Sequence, residues 1–237
     1  MSKYGDHHRM FVQIMLARKV LYLRELEDVI RRCHAKYSVP CFALDSQQQL
    51  AKFISGINSV ISPFHMRIKG GVSEEDGSHF YVLLNTKDGA LSKCATKFSP
   101  NEMKFLKKLV LKIAESDNGS VMSADALRIV YEDNEATPRL NAVEDFLNRM
   151  AELRCLVQKD GKISLGPVAQ LELVPYLKEQ LSGELPTCHV CRQVCIKGEL
   201  CPNTGCSVKL HLHCATSRRQ SSLSTSFCCP GCKQVWK

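Results

Sequence analysis

The C-terminal fifth of this 237-residue chain constrains its fold more than any other segment. Nine of the 13 cysteines lie between residues 188 and 232, while Cys33, Cys41, Cys94 and Cys155 are scattered singly. Few aliphatic side chains accompany the nine. A region so short and lean cannot bury enough apolar surface to fold alone, so it needs a staple. A secreted disulfide scaffold spreads its cysteines through the fold, whereas a dense cluster in a reducing compartment more often binds metal.

The spacing agrees with metal. The tail reads Cys188-x2-Cys191-x9-Cys201-x4-Cys206-x4-His211-x2-Cys214-x14-Cys229-x2-Cys232. Each Cys-x2-Cys pair lets two sulfurs from one tight turn reach a single tetrahedral ion. Two such pairs, with Cys201-x4-Cys206 and His211-x2-Cys214 at workable spacing, supply eight ligands, enough for two closed sites. In a cross-braced order one zinc ion takes Cys188, Cys191, His211 and Cys214. The second takes Cys201, Cys206, Cys229 and Cys232. Sites closed by four protein ligands leave no position for substrate, so two structural zinc ions are expected. Single positions keep alternatives. Cys228 adjoins Cys229, Cys195 is a spare thiol, and His189 and His213 lie near His211. Cys229 is preferred because it makes Cys-Pro-Gly-Cys with Cys232, and His211 because it forms a compact pair with Cys214.

Upstream, hydrophobic period and turn chemistry suggest three segments, 1–98, 99–182 and 183–237. In the first, Phe11, Ile14 and Met15 fall at helical spacing, as do Leu26, Val29, Ile30 and Cys33. Ser46 with Gln49 forms a capping box for a third helix with Leu50, Phe53, Ile54, Ile57, Val60 and Ile61 on one stripe, ended by Pro63. Phe64 to Lys69 and Phe80 to Asn85 then read as strands, joined through Gly70-Gly71 and Asp76-Gly77. The second segment repeats the order. Ser99-Pro100-Asn101-Glu102 is a capping box with proline at the first helical position. A short helix from Ser123 to Val130 follows, then one capped by Thr137-Pro138 with Val143, Phe146, Leu147 and Met150 inward. A hairpin turns at Lys159-Asp160-Gly161, and a closing helix runs from Pro167 to Leu181. Ser182 to Pro186 reads as a linker. Three helices followed by a hairpin is the order of a winged helix. The expected class is therefore α+β, mainly α with small β-hairpins: tandem winged-helix domains, then a RING-like two-zinc cross-brace domain.

Charge is unevenly divided. The formal balance of +8 comprises 14 Lys/Arg against 9 Asp/Glu in residues 1–99, 11 against 14 in 100–184, and 7 against 1 in 185–237. Thiolates bound to zinc remove most of the last excess. The remainder allows weak DNA contact without demanding it. No apolar run reaches the ~18–20 residues that span a bilayer, and no signal-peptide core opens the chain, so a soluble intracellular protein with no membrane role is expected.

Three features together resemble the non-SMC element 1 family. They are Gly71-Val72-Ser73-Glu74-Glu75-Asp76-Gly77, the paired winged-helix order, and a tail whose ligands run four cysteines, one histidine, three cysteines. That family supplies the RING-like subunit of the structural-maintenance-of-chromosomes (SMC) complex devoted to DNA repair. The resemblance implies a ubiquitin ligase that pairs with a MAGE-family subunit as a heterodimer. It also implies a kleisin subunit at the SMC heads, a nuclear, chromosome-associated location, and a role in homologous recombination. A RING-type ligase holds a ubiquitin-conjugating enzyme in a reactive pose, so no catalytic nucleophile is expected on this chain. By the same resemblance the docking residues are Val190 and Pro230, with Leu223 and Phe227 completing the groove. The ligand order departs from most RING domains, which place histidine fourth. It is also the order of PHD fingers, which read histone tails and carry an aromatic where Phe227 stands. Lys233 replaces the arginine-like cation after the last ligand, so ligase activity is expected to depend on the partner. A hydrolytic zinc enzyme is disfavoured, since no His-Glu-x-x-His motif is present.

The helices give little sign of reading DNA bases. The stretch from Pro138 to Met150 offers Arg139 and Arg149 but also Glu144 and Asp145. Arg31, Arg32, Lys36, Arg67 and Lys69 suit non-specific phosphate contact. Protein docking is the expected main task of these domains.

Overall fold

The computed structural model describes residues 4–44, 46–87, 98–129, 140–181, 185–221 and 227–236, and at 140 and 141 the backbone alone. These residues form two compact units. The first holds the described residues up to Val72 and those from Ser78 to Lys87. The second holds Ser73–Gly77 and everything described from Phe98 onward.

In the first unit, α1 (Asp6–Arg18), β1 (Val20–Tyr22), α2 (Leu23–Lys36) and α3 (Gln47–Ile61) precede β2 (Met66–Val72) and β3 (His79–Asn85). The apolar stripes meet as expected: Phe11, Met15, Leu26, Ile30, Cys33 and Ile57 are fully buried in one cluster. Lys19 ends α1 in a left-handed conformation at φ 63°. β1 then pairs antiparallel with β3, Leu21 opposite Tyr81, which makes a sheet of order β1-β3-β2. Periodicity missed β1 because three residues carry no period. Asn58 ties α3 to β2. Its amide donates to Ile68 O at 2.9 Å and accepts from Ile68 N at 2.7 Å.

Four details differ from expectation. Val60 is 37% exposed, at the edge of its stripe. Phe64 lies in the 3-10 turn Ser62–Phe64, 69% exposed, so the strand starts at Met66. Gly70 and Gly71 pair within β2 opposite Tyr81 and Phe80. The Ser46 hydroxyl accepts from Gln49 N, but the Gln49 side chain caps Ala43 N, so the box is not reciprocal.

The second unit repeats the element order. α4 (Pro100–Glu115), β4 (Ser120–Met122) and α5 (Ser123–Ile129) lead to α6 (Leu140–Glu152), β5 (Leu156–Lys159) and β6 (Lys162–Leu165). The sheet order β4-β6-β5 has the connectivity of the first. Here the capping box is reciprocal: Ser99 Oγ accepts from Glu102 N at 3.3 Å, and Glu102 Oε2 accepts from Ser99 N at 2.7 Å. Val143, Phe146, Leu147 and Met150 are buried on α6. Arg149 of α6 lies over the rings of Phe98 and Phe146 and pairs with Glu102, so its guanidinium already has partners. Thr137, Pro138 and Arg139 lie outside the described residues. The closing helix is two, α7 (Pro167–Glu172) and α8 (Val174–Gln180). Pro175 lacks the N–H that would continue α7, and its ring opposes the carbonyl four residues back.

The tail adds β7 (Glu199–Leu200), β8 (Lys209–Leu210), α9 (Leu212–Ser221), β9 (Phe227–Cys228) and β10 (Val235–Trp236). Its core is mostly cysteine, joined by Val208, Leu210, Ala215, Phe227 and Trp236. Leu185, expected in a linker, is buried at 7%, and Pro186 O accepts from Cys195 N. Among the described residues no helix is long and apolar enough to cross a membrane.

Candidate metal centre

Two turns of the tail are built alike. Arg192, after Cys191, has φ 62°, and Lys233, after Cys232, has φ 63°. Arg192 N donates to Cys188 O at 2.9 Å, and Lys233 N donates to Cys229 O at 3.0 Å. Cys188 N and Cys229 N each donate at 2.8 Å, to Gln193 O and Gln234 O. Each Cys-x2-Cys pair is thus folded over its own backbone, with both sulfurs on one side. The left-handed residue in each turn is not glycine, so the hydrogen-bonded loop holds a conformation that costs about 1–2 kcal/mol.

These turns assemble two quartets. Cys188, Cys191, His211 and Cys214 present ligand atoms all within 4.8 Å of one another, as do Cys201, Cys206, Cys229 and Cys232. The quartets interleave along the chain, so the two halves of each flank a ligand pair of the other. Sulfurs at ~2.3 Å on a tetrahedral ion stand about 3.8 Å apart. Cys201 Sγ lies 3.7 Å from Cys232 Sγ, and Cys206 Sγ lies 3.8 Å from Cys229 Sγ. In the other quartet His211 Nδ1 is 3.3 Å from Cys191 Sγ and 4.0 Å from Cys214 Sγ. The donor sets, one histidine with three cysteines and four cysteines, fit a closed tetrahedral metal site.

Electrostatics within the quartets ask for a cation. Burial disfavours the Cys188 thiolate, yet backbone N–H groups of Cys191, His211 and Val190 bring its pKa down to about 7. Burial pushes Cys214 up to about 11, helped by the charge of Cys188. In the other quartet the Gln234 N–H, then the Asn203 side chain, brings Cys232 down to about 6. Burial and the neighbouring thiols push Cys201 up to about 12. Burial that disfavours a thiolate, as at Cys201 and Cys214, is relieved where a divalent ion would sit among the sulfurs.

The alternatives separate. Cys195 is buried, its thiol 3.6 Å from Lys197 O, and it joins neither quartet. Cys228 is exposed while Cys229 is buried and turned inward. His213 stacks on His211 at 5.0 Å, and neither His213 nor His189 joins a quartet. Val190 is 37% exposed between the first two cysteines, and Pro230 is half-buried between the last two. Phe227 is 7% exposed and stacked on Trp236 at 5.3 Å, so its ring belongs to the core. Lys233 Nζ donates to Pro230 O at 3.1 Å. Leu223 lies outside the described residues.

Comparison with known proteins now decides the family. The profile described as "Nse1 non-SMC component of SMC5-6 complex" matches residues 8–173, and one described as "RING-like domain" matches residues 188–232. The chain belongs to the Nse1 family. The Bos taurus non-structural maintenance of chromosomes element 1 homolog is 30% identical over 231 residues, covering 98% of this chain and 84% of that protein. The Homo sapiens homolog is 29% identical over 236 residues, covering 100% and 86%. The Schizosaccharomyces pombe element 1 protein is 23% identical over 163 residues, covering 68% of each. A solved structure named "Nse1-Nse3-Nse4 complex" superposes with a TM-score of 0.85 at 27% identity, covering 100% of this chain and 98% of that one.

In sequence Glu74 is one residue of the segment Gly71 to Gly77, and no motif there assigns it a role. It is 8% exposed, and its carboxylate accepts from Ile196 N at 3.1 Å and from Lys197 N at 2.6 Å. Buried Lys209 donates to Ile196 O at 2.8 Å. The only sequence signal was an acidic pair, Glu74-Glu75, in a turn between two strands.

Proposed function

We propose that this Nse1-family chain is a RING-type ubiquitin-ligase subunit of an SMC chromosome-maintenance complex, built on two winged-helix units and two structural zinc ions. In this reading residues 1–98 and 99–182 carry the winged helices and 183–237 the zinc module. The supporting observation is the pair of interleaved quartets with Val190 and Pro230 at the two Cys-x2-Cys turns. Cys188, Cys191, His211 and Cys214 hold one zinc and Cys201, Cys206, Cys229 and Cys232 the other. Closed sites supply shape and no substrate position. Val190 and Pro230, with Leu223, dock the ubiquitin-conjugating enzyme, and Phe227 supports them from the core. Catalysis is then positioning of the charged thioester, with no covalent intermediate on this chain.

The solved Nse1-Nse3-Nse4 complex supports the partner assignment. The MAGE-family subunit forms the heterodimer, and the kleisin subunit joins it to the SMC heads. The setting is the nucleus and the process repair by homologous recombination. Exposed Arg32, Lys36, Arg67 and Lys69 provide salt-sensitive phosphate contact with DNA. Arg31 is already paired with Glu27 and Asp28.

A ubiquitin-discharge assay on the chain co-purified with its MAGE-family partner tests the proposal. Val190→Ala and Pro230→Ala are expected to slow discharge while metal content stays at two zinc ions. Unchanged discharge in both variants removes the docking assignment. A second reading has its own observation: the histidine is the fifth ligand, and the aromatic before the seventh, Phe227, packs on Trp236. This favours a PHD-like reader or assembly module. Saturable binding of a histone-tail peptide, with no stimulation of discharge, selects it.

A further inference from the structure

The segment Ser73–Gly77 lies between β2 and β3 in sequence but belongs to the unit that holds the quartets. Its contacts converge on one metal-binding side chain. His211 presents Nδ1 to the cysteines, and its Nε2–H donates to Val194 O at 2.9 Å. Val194 begins the short stretch 194–197, whose far end is gripped by Glu74 through the N–H groups of Ile196 and Lys197. A Glu74 carboxylate oxygen also lies 3.9 Å from His211 Nε2, with the two side chains 10% and 4% exposed. On the imidazole face, His213 stacks at 5.0 Å with planes 12° apart. Gly77 covers His213, at φ +73°, where a Cβ would stand 2.9 Å from the His213 ring. Glu75 fixes the segment laterally, its carboxylate 3.1 Å from Lys159 Nζ and 3.2 Å from Lys197 Nζ.

We propose that Glu74 is a positioning residue of the metal site at His211. It holds the stretch whose Val194 carbonyl orients the imidazole, and it places a carboxylate beside the ring nitrogen that faces away from the metal. The inference rests on the zinc reading of the quartets. Three thiolates and one imidazole around a divalent ion leave a net negative site, so a second anion beside it needs compensation. Two backbone N–H groups and the buried Lys209 ammonium provide it. A carboxylate or carbonyl behind a metal-bound histidine fixes its tautomer and raises its basicity, and losing such a partner typically weakens metal binding about 10- to 100-fold.

The test uses the full chain loaded with cadmium as a spectroscopic substitute, then with zinc. The cadmium resonances distinguish a site of three sulfurs and one nitrogen from a site of four sulfurs. Glu74→Gln is expected to shift the first resonance and leave the second in place. In zinc competition with a chromophoric chelator, one ion of the two is expected to be held about 10- to 100-fold more weakly. Asp125→Asn, at an exposed carboxylate of α5 paired with Arg128 three positions on, is expected to leave both ions as tightly bound as in the parent. Equal affinities for parent and Glu74→Gln, or equal weakening of both ions, overturns the proposal, and so does a Glu74→Gln chain that fails to fold. An independent measurement needs no variant: nitrogen NMR of the zinc-loaded parent must find His211 protonated at Nε2, and metal at Nε2 overturns it. A parent that binds no zinc instead sinks the zinc reading itself.

Discussion

Two glycines with the same backbone conformation separate strain from contact. Gly119 has φ +66° and Gly161 has φ +70°. A Cβ built on Gly161 meets nothing within 4 Å, whereas one on Gly119 stands 2.4 Å from Ile196 O and 2.6 Å from Lys197 Cα. Alanine at either position carries the left-handed strain of an L-residue, about 1–2 kcal/mol. At Gly119 the 196–197 backbone must also retreat by about 1 Å to reach ordinary contact distance near 3.4 Å. That backbone is pinned by two hydrogen bonds to the Glu74 carboxylate and one from Lys209 Nζ. A hydrogen bond to a charged group contributes about 1.5–3 kcal/mol, so losing one brings Gly119→Ala to about 2.5–5 kcal/mol. Urea unfolding of the metal-loaded chain measures both, by far-UV circular dichroism and by the fluorescence of the single tryptophan, Trp236. The expected order is parent, then Gly161→Ala, then Gly119→Ala well below. Equal losses for the two variants refute the claim that the 196–197 backbone is held rigidly.

The remaining expectations probe other parts of the chain. With structural zinc in the quartets, at an apparent binding of about 10–16 kcal/mol per ion, exhaustive chelation should expose the 3%-exposed Trp236 and move its emission to the red. The helical signal should persist, since among the described residues of the tail only the ten-residue α9 is an α-helix. Unmoved emission contradicts the metal-stapled core. Brief alkylation of the metal-loaded chain should label exposed Cys41 and Cys228 and spare buried Cys195, whose thiol burial holds protonated, and peptide mapping reads the outcome. Asn58→Ala should cost about 2–3 kcal/mol, because it strips both backbone partners of Ile68 in a half-buried setting. His8, buried and beside His7 and His34, has its pKa lowered from 6.5 to about 4. The folded chain therefore resists a proton that the unfolded chain accepts. Stability linked to His8 is complete above pH 6.5 and declines as pH falls toward 4. Ring-proton NMR should find its midpoint near 4, and a midpoint near 6.5 denies the burial argument.

Local rules carried far in this chain. The Ser99–Glu102 capping box, the α3 stripe and the β5–β6 turn at Asp160-Gly161 each depend on residues within a few positions of one another. Their spacing is visible before folding. The eight quartet residues were legible for a related reason: thiolate and imidazole are scarce, and two sulfurs from one turn reach one ion only at a narrow spacing. Where expectation slipped, a distant partner intervened. β1 is a strand because β3 hydrogen-bonds to it some sixty residues later in the sequence.

The amino-acid order alone suggested which pairs of side chains can clasp metal and most of the helix faces that turn inward, because both follow from short-range geometry. Folding alone gathered the eight quartet residues and left Cys195, Cys228, His189 and His213 outside them. Folding alone also set Glu74 against Ile196, 122 positions away. Its hydrogen-bond partners there are main-chain N–H groups, which every residue except proline carries, so no side-chain pattern marks where such a carboxylate will land.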